Sequence, residues 1–207
     1  MSFQFNSESD IFVLLTGGDH TPSVSSDLEA LDHLLHEASP IASWQPPPLQ
    51  VFGRRRRLLD GLLWMGGPPV LSARASDALH GLLPPESQFL PLLLLRGVQY
   101  LAFLPPRVSA CLDLERSGAL VSPTDSHRVI GLPQYVLKQP LPPLAAFQLA
   151  EFPGPVFVRA SFVERVLARR LTGIGFGAPE ANALALLARG QSRHVVPDAL
   201  YFGETPA

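Results

Sequence analysis

The chain is poor in cysteine, nearly devoid of lysine and without a long apolar run, and each shortage closes off a class of protein. A single cysteine, Cys111, cannot form an internal disulfide, so a disulfide-stapled scaffold is excluded and a reducing compartment fits. Lys138 is the only lysine, which removes most lysine-based chemistry; with no glycine just before it, there is no phosphate-binding P-loop. The most apolar stretch, 89–104, is interrupted by Pro91, Arg96, Gly97 and Gln99 and falls short of the roughly 20 residues that span a bilayer. Met1 to Glu8 lack the basic and apolar regions of a secretory signal, so the cytoplasm is the expected location. Sixteen basic against eighteen acidic residues give a net charge of -2, and no global field gathers polyanions or anionic lipid. Neither nucleic acid nor a membrane is an expected partner.

What is present points to a packed core. The 207 residues are 46% hydrophobic, and 36 of them are leucine. A chain of this size buries roughly 70% of its extended surface, so wholesale disorder is excluded. The 22 prolines, about twice the usual share, predict many loops and edge strands.

Along the chain, Ile11 to Thr16 reads as a strand closed by Gly17-Gly18, and Ser26 with Glu29 has capping-box spacing ahead of a helix carrying Leu28, Leu31 and Leu35. Leu58 to Met65 is apolar and fits a strand or a short helix. Ser72 is placed to cap a helix running through Leu83, which Pro84-Pro85 ends. Residues 87–104 split at Arg96-Gly97 into a hairpin, and 108–114, 129–137, 145–149 and 156–158 are further strand candidates. Ser161 and Glu164 repeat the capping-box spacing, with Phe162, Val163, Val166 and Leu167 as a buried face and Gly173 suited to the left-handed position after the helix. Residues 181–188 suit a terminal helix, and the end reads as a tail. Runs of strands and helices without strict alternation predict an α+β fold, a mostly antiparallel or mixed sheet with a few helices packed on it. The expected organisation is an N-terminal lobe at 1–68 within the same domain, a core at 69–177, and a helix and tail at 178–207.

Several groupings have the composition of a reactive site and lack its spacing. His33 and His36 lie one turn apart on a helix, but no third metal ligand is placed by spacing, so a solvated face accounts for them better. Asp125, Ser126 and His127 are adjacent in a polar turn, whereas a working triad converges from separate elements. Gly173, Gly175 and Gly177 follow a helix instead of the strand that a dinucleotide fingerprint requires. Asp113 and Glu115 share a face if their segment is extended and, with His127, define an alternative reading as a small metal-dependent hydrolase or nuclease. The run Arg54, Arg55, Arg56, Arg57 supports another, an adaptor that grips acidic partners through guanidinium forks. No cofactor is expected.

Set side by side, certain segments resemble a family of immunity proteins from bacterial polymorphic toxin systems, the family numbered eleven. They are Trp44-Gln45-Pro46, Val70 to Ala75, Gln99-Tyr100-Leu101, Ala110 to Ser117 with its LDLERS stretch, Phe147-Gln148-Leu149, and Val156-Phe157-Val158 leading to Leu171 to Phe176. The similarity runs from about residue 40 to 177, and 178–207 lie outside it. The resemblance implies a cytoplasmic protein without catalysis of its own. Such a protein binds and occludes a cognate antibacterial toxin, often a nuclease delivered by a contact-dependent or type VI secretion apparatus. An interface of this kind concentrates its affinity in a few aromatic or arginine anchors. Trp44, Trp64, Arg54 to Arg57, Asp113, Glu115 and Arg116 are the candidates for partner contact. The sequence sets no oligomeric state.

Overall fold

The computed structural model describes residues 11–16, 23–25, 44–47, 50–52, 58–64, 67–124, 129–177, 179 and 200–202. The expected helix after Ser26, the two histidines within it, Arg54 to Arg57, Asp125 to His127 and the expected helix at 181–188 lie outside the described residues.

The described chain is α+β, as expected, and is dominated by two six-stranded sheets. One contains, from edge to edge, β14 (Leu200–Phe202), β13 (Ile174–Gly177), β1 (Ile11–Thr16), β12 (Val156–Arg159), β11 (Ala146–Leu149) and β8 (Arg107–Val108). The other runs β3 (Gln50–Phe52), β2 (Ser23–Ser25), β4 (Gly61–Trp64), β5 (Val70–Ser72), β7 (Val98–Leu104) and β6 (Gln88–Leu95). A two-stranded ribbon, β9 (Leu120–Val121) with β10 (Val129–Gly131), stands apart. Pairing is antiparallel except where β8 meets β11 and β2 meets β4. Strands from the first 68 residues enter both sheets, with β1 lying between β12 and β13. Leu200–Phe202 pairs with β13 as an edge strand, a correction to the expected tail.

Alternation along the strands divides the core into three clusters. Leu14, Val156, Val158, Ile174 and Phe176 of the first sheet, and Leu71 and Phe103 of the second, face a shared central core. Both described helices fill that core: α1 (Ala73–His80) through Ala75 and Leu79, and α2 (Ala160–Ala168) through Phe162, Val163 and Val166. Phe103, Phe162 and Phe176 form an aromatic chain across it, with successive ring centroids 6.3 Å apart. Each such buried ring stabilises the fold by about 2–3 kcal/mol. The opposite strand faces carry two outer clusters. Leu62, Trp64, Val70, Tyr100 and Ala102 make one on the second sheet, with Trp44 packed against it. Val13, Phe147, Leu149 and Phe157 make the other on the first sheet, beneath Leu112, Val129, Leu132 and Tyr135.

The same local unit is used twice, a hairpin whose second strand passes directly into a helix: β4–β5–α1 and β11–β12–α2. Ser72 caps α1 as expected, its Oγ accepting the Ala75 N–H at 3.2 Å, but the helix stops at His80, short of Leu83. The capping box expected from Ser161 and Glu164 does not form. Strand β12 continues to Arg159, which becomes the cap residue without a side-chain bond to the helix end, its guanidinium donating instead to the Pro142 carbonyl at 2.8 Å, and Ser161 falls inside the helix. At the other end Arg170 takes the left-handed position (φ 49), with its N–H on the Leu167 carbonyl and that of Leu171 on Val166. Gly173, also left-handed at φ 70, serves a close approach instead, because a Cβ there would lie 2.7 Å from the Gly61 carbonyl oxygen.

That approach is the seam between the sheets, and Asp60 organises it. Its carboxylate accepts from Ser72 Oγ (2.9 Å), Arg74 Nη1 (2.6 Å), Thr172 N–H (2.8 Å) and Thr172 Oγ1 (3.1 Å). Gly61 N–H reaches the Thr172 carbonyl at 3.0 Å, and Ser72 N–H reaches the Asp60 carbonyl at 2.7 Å. Arg74 Nη2 extends the network to the Arg169 carbonyl at the end of α2. Asp60 is 7% exposed, so a buried carboxylate is held by several donors, as a buried charge requires.

Candidate partner-contact surface

The LDLERS segment is a turn, where the sequence suggested a strand. Leu112 bridges to Leu137, and the chain then coils through residues 114–118. Asp113 Oδ1 accepts the Arg116 N–H at 3.0 Å, and the Asp113 carbonyl accepts the Ser117 N–H at 2.9 Å. Ser117 is fully buried, and its Oγ accepts the Val136 N–H at 3.0 Å, while Asp113 N–H returns to the Val136 carbonyl. Gln134 Nε2 secures the Arg116 carbonyl at 2.8 Å. Asp113 and Ser117 therefore build the turn, and Leu114, Glu115 and Arg116 are its outward-facing, exposed residues.

This geometry corrects the paired-carboxylate expectation. Asp113 and Glu115 do not share a strand face: the first closes its own turn and the second faces solvent. Among the described residues no three of histidine, cysteine, aspartate and glutamate are gathered as a metal would need. Gly175 and Gly177 lie within strand β13 instead of at a helix start, so the glycine-rich stretch forms no phosphate cradle. Cys111 is half-buried and outside any strand; burial, and secondarily the Glu151 carboxylate, pushes its thiol pKa up, opposite to what a nucleophile needs.

From the turn the chain enters the ribbon, which departs most from the usual placing of side chains. Leu114 is 41% exposed, Leu120 60%, Val121 47% and Ile130 57%. They are four of the five exposed large hydrophobic residues in the described chain, Leu94 on β6 being the other. Val121 pairs with Val129, and Leu120 with Gly131. Val129 points inward to the outer cluster of the first sheet and anchors the ribbon, while Ile130 between Val129 and Gly131 points out. Exposed apolar side chains on one short ribbon and on the turn before it, with the exposed Glu115 and Arg116 next to Leu114 in the chain, have the composition of a protein contact.

The other candidate residues fall elsewhere. Trp64 is only 2% exposed, a correction: its ring belongs to the core of the second sheet and offers a partner no surface. Trp44 is half-buried, and its indole N–H donates to the Pro91 carbonyl at 2.7 Å. The structure brings together Asp113, Glu115 and Arg116 and places Trp44 on the second sheet. Leu114, Leu120, Val121 and Ile130 were missed; the available signal was two large apolar residues, Leu120 and Val121, in a segment otherwise rich in turn-forming residues, 117–126.

No helix among the described residues is long and apolar enough to cross a membrane. No protein-family model matches the chain, and no curated protein shows a significant match.

Proposed function

We propose that this chain is an immunity protein, which binds a cognate antibacterial toxin in the cytoplasm and neutralises it by covering the toxin's working surface. The observation that supports this reading most is the exposed apolar ribbon of β9 and β10, which follows the hydrogen-bonded turn at 113–118 in the segment that resembles the family. Occlusion needs a stable scaffold and a preformed face. Here Ser117 and Asp113 hold the turn from inside while Leu114, Glu115 and Arg116 stand outward. A complex burying about 1,600 Å² in total would place the ribbon at its centre and the charged pair at its rim.

Co-expression with the toxin-like product of the adjacent gene tests the proposal. The expected result is restored growth and a complex that survives gel filtration. A toxin that still kills, with no complex formed, overturns it.

A further inference from the structure

The second sheet ends on β6, beside a cleft of about 540 Å³ lined by Trp44 and residues 85–91. The register shows which backbone groups face it. Phe103 N–H bonds the Pro69 carbonyl, so Phe103 and Leu101 turn toward β5, and Ala102 and Leu104 turn toward β6. Their partners Leu90 and Gln88 are thereby engaged inward, which leaves Phe89 and Pro91 facing outward. Pro91 has no N–H to offer, and its carbonyl is taken by Trp44. Phe89 keeps an outward N–H and C=O with no bonded partner among the described residues.

The side chains add a chemical preference. Glu86 is the one charged group of the lining; it is exposed, and no ion pair among the described residues engages it. Ser87 Oγ and Gln88 Oε1 lie just beneath the surface without hydrogen-bond partners. Trp44 supplies an aromatic wall fixed by its bond to Pro91. An unbalanced carboxylate, unmatched acceptors and an indole suit a guanidinium, which stacks on rings and carries five donors in one plane.

We infer that this cleft takes an extended segment of a partner protein, with its backbone on the outward groups of Phe89 and an arginine side chain between Trp44 and Glu86. The remaining guanidinium donors serve Ser87 Oγ or Gln88 Oε1 once either side chain rotates toward them. The inference rests on the chain being a protein-binding module but not on the ribbon, which belongs to a different part of the fold.

The test uses the full chain and an acetylated, amidated pentapeptide, Thr-Val-Arg-Val-Thr, followed by nitrogen-15 correlation spectra. Saturable shifts of the Trp44 indole N–H and the Phe89 amide are expected. Binding should weaken about tenfold when citrulline replaces the arginine, and likewise in Glu86→Gln, an exposed change that leaves the fold intact. An absence of shifts at both positions, equal binding of the citrulline peptide, or shifts confined to Leu120 and Ile130 overturns the inference. Toxin capture that depends on the ribbon while the peptide fails to bind leaves the proposed function standing and removes this inference alone.

Discussion

The seam at Asp60 and the ribbon of β9 and β10 invert the ordinary distribution of polarity. At the seam two hydroxyls and an arginine converge on a carboxylate that is almost closed to water. On the ribbon, leucine, valine and isoleucine stand in solvent. The polar groups inside are all matched, so they contribute stability and geometric definition without remaining reactive. The apolar groups outside are matched by nothing in the described chain, which is the feature on which the proposed contact rests. The difference separates what holds the fold from the face proposed to meet a partner, and substitutions can address each part alone.

The largest expected effect is at the seam. Asp60→Ala leaves Arg74 able to reach water, since its side chain is 58% exposed, so the lost ion pair matters less than the stranded donors. Thr172 N–H and the hydroxyls of Thr172 and Ser72 lose their acceptor together. At about 1–3 kcal/mol for each unsatisfied buried group, a total loss of about 4 kcal/mol is expected. Thermal unfolding should then fall by about 10 °C for a chain of this length. Gly61→Ala comes next: its Cβ would sit 2.1 Å from the Gly173 carbonyl oxygen, where only backbone can yield, and a loss of about 3 kcal/mol is expected in denaturant titration. Neither variant should alter affinity for the proposed toxin partner at temperatures where it remains folded. A seam variant that binds poorly while fully folded would break the separation.

How much of this was legible in the sequence depended on whether a residue's role was local. The hairpin of β6 and β7 followed from two apolar runs split at Arg96-Gly97, and Ser72 was recognisable as a cap because it stands just ahead of a helical stripe of Ala75, Ala78, Leu79 and Leu82. The same reasoning failed for Ser161, since nothing in the spacing reveals that β12 runs one residue past Val158 and shifts the helix start. The LDLERS turn shows the limit most clearly. A period of two placed Asp113 and Glu115 on one face, and the tertiary bond from Ser117 to Val136, nineteen residues on, is part of what bends the segment away from that pattern. Asp60 was passed over, although a lone acid in the run Leu58 to Met65 implies a buried charge in need of donors. Its partner Thr172 lies 112 residues away, a distance that no local rule spans.

On the ribbon the expectation reverses. Replacing Leu120 and Ile130 by serine removes side chains that already face water, so unfolding should move by no more than about 0.5 kcal/mol per site. Toxin binding should weaken by about 2 kcal/mol, near thirtyfold, if the two residues lie at the centre of the contact, with the change appearing mainly in the dissociation rate. Glu115→Ala and Arg116→Ala at the rim should cost less and should act on the association rate and its salt dependence. Surface plasmon resonance at two salt concentrations separates the two patterns. A ribbon double variant that binds as tightly as the parent would move the contact face elsewhere.

The smallest expected effect tests whether the seam behaves as one electrostatic unit. Tyr100 donates its hydroxyl to the Leu59 carbonyl at 2.8 Å, one residue from Asp60. Burial, and secondarily the Asp60 carboxylate, push its pKa from 10.0 up to about 12, because ionisation would place a second negative charge in a site with little water. Between pH 10 and about 12 the folded protein therefore holds a proton that the unfolded chain has released. Stability from this group is complete below pH 10 and is lost as the pH rises through that window. Tyr100→Phe should cost about 1 kcal/mol at neutral pH, the worth of one hydrogen bond. Its stability should also decline less steeply than the parent's above pH 10, while Tyr135, whose pKa burial likewise raises, contributes equally to both curves. Chemical denaturation at intervals across that range measures the difference in slope. Serine substitutions on the ribbon should leave the slope as it is, because none of the side chains they remove titrates, and parallel curves for parent and Tyr100→Phe would show that the fold does not raise the tyrosine's pKa.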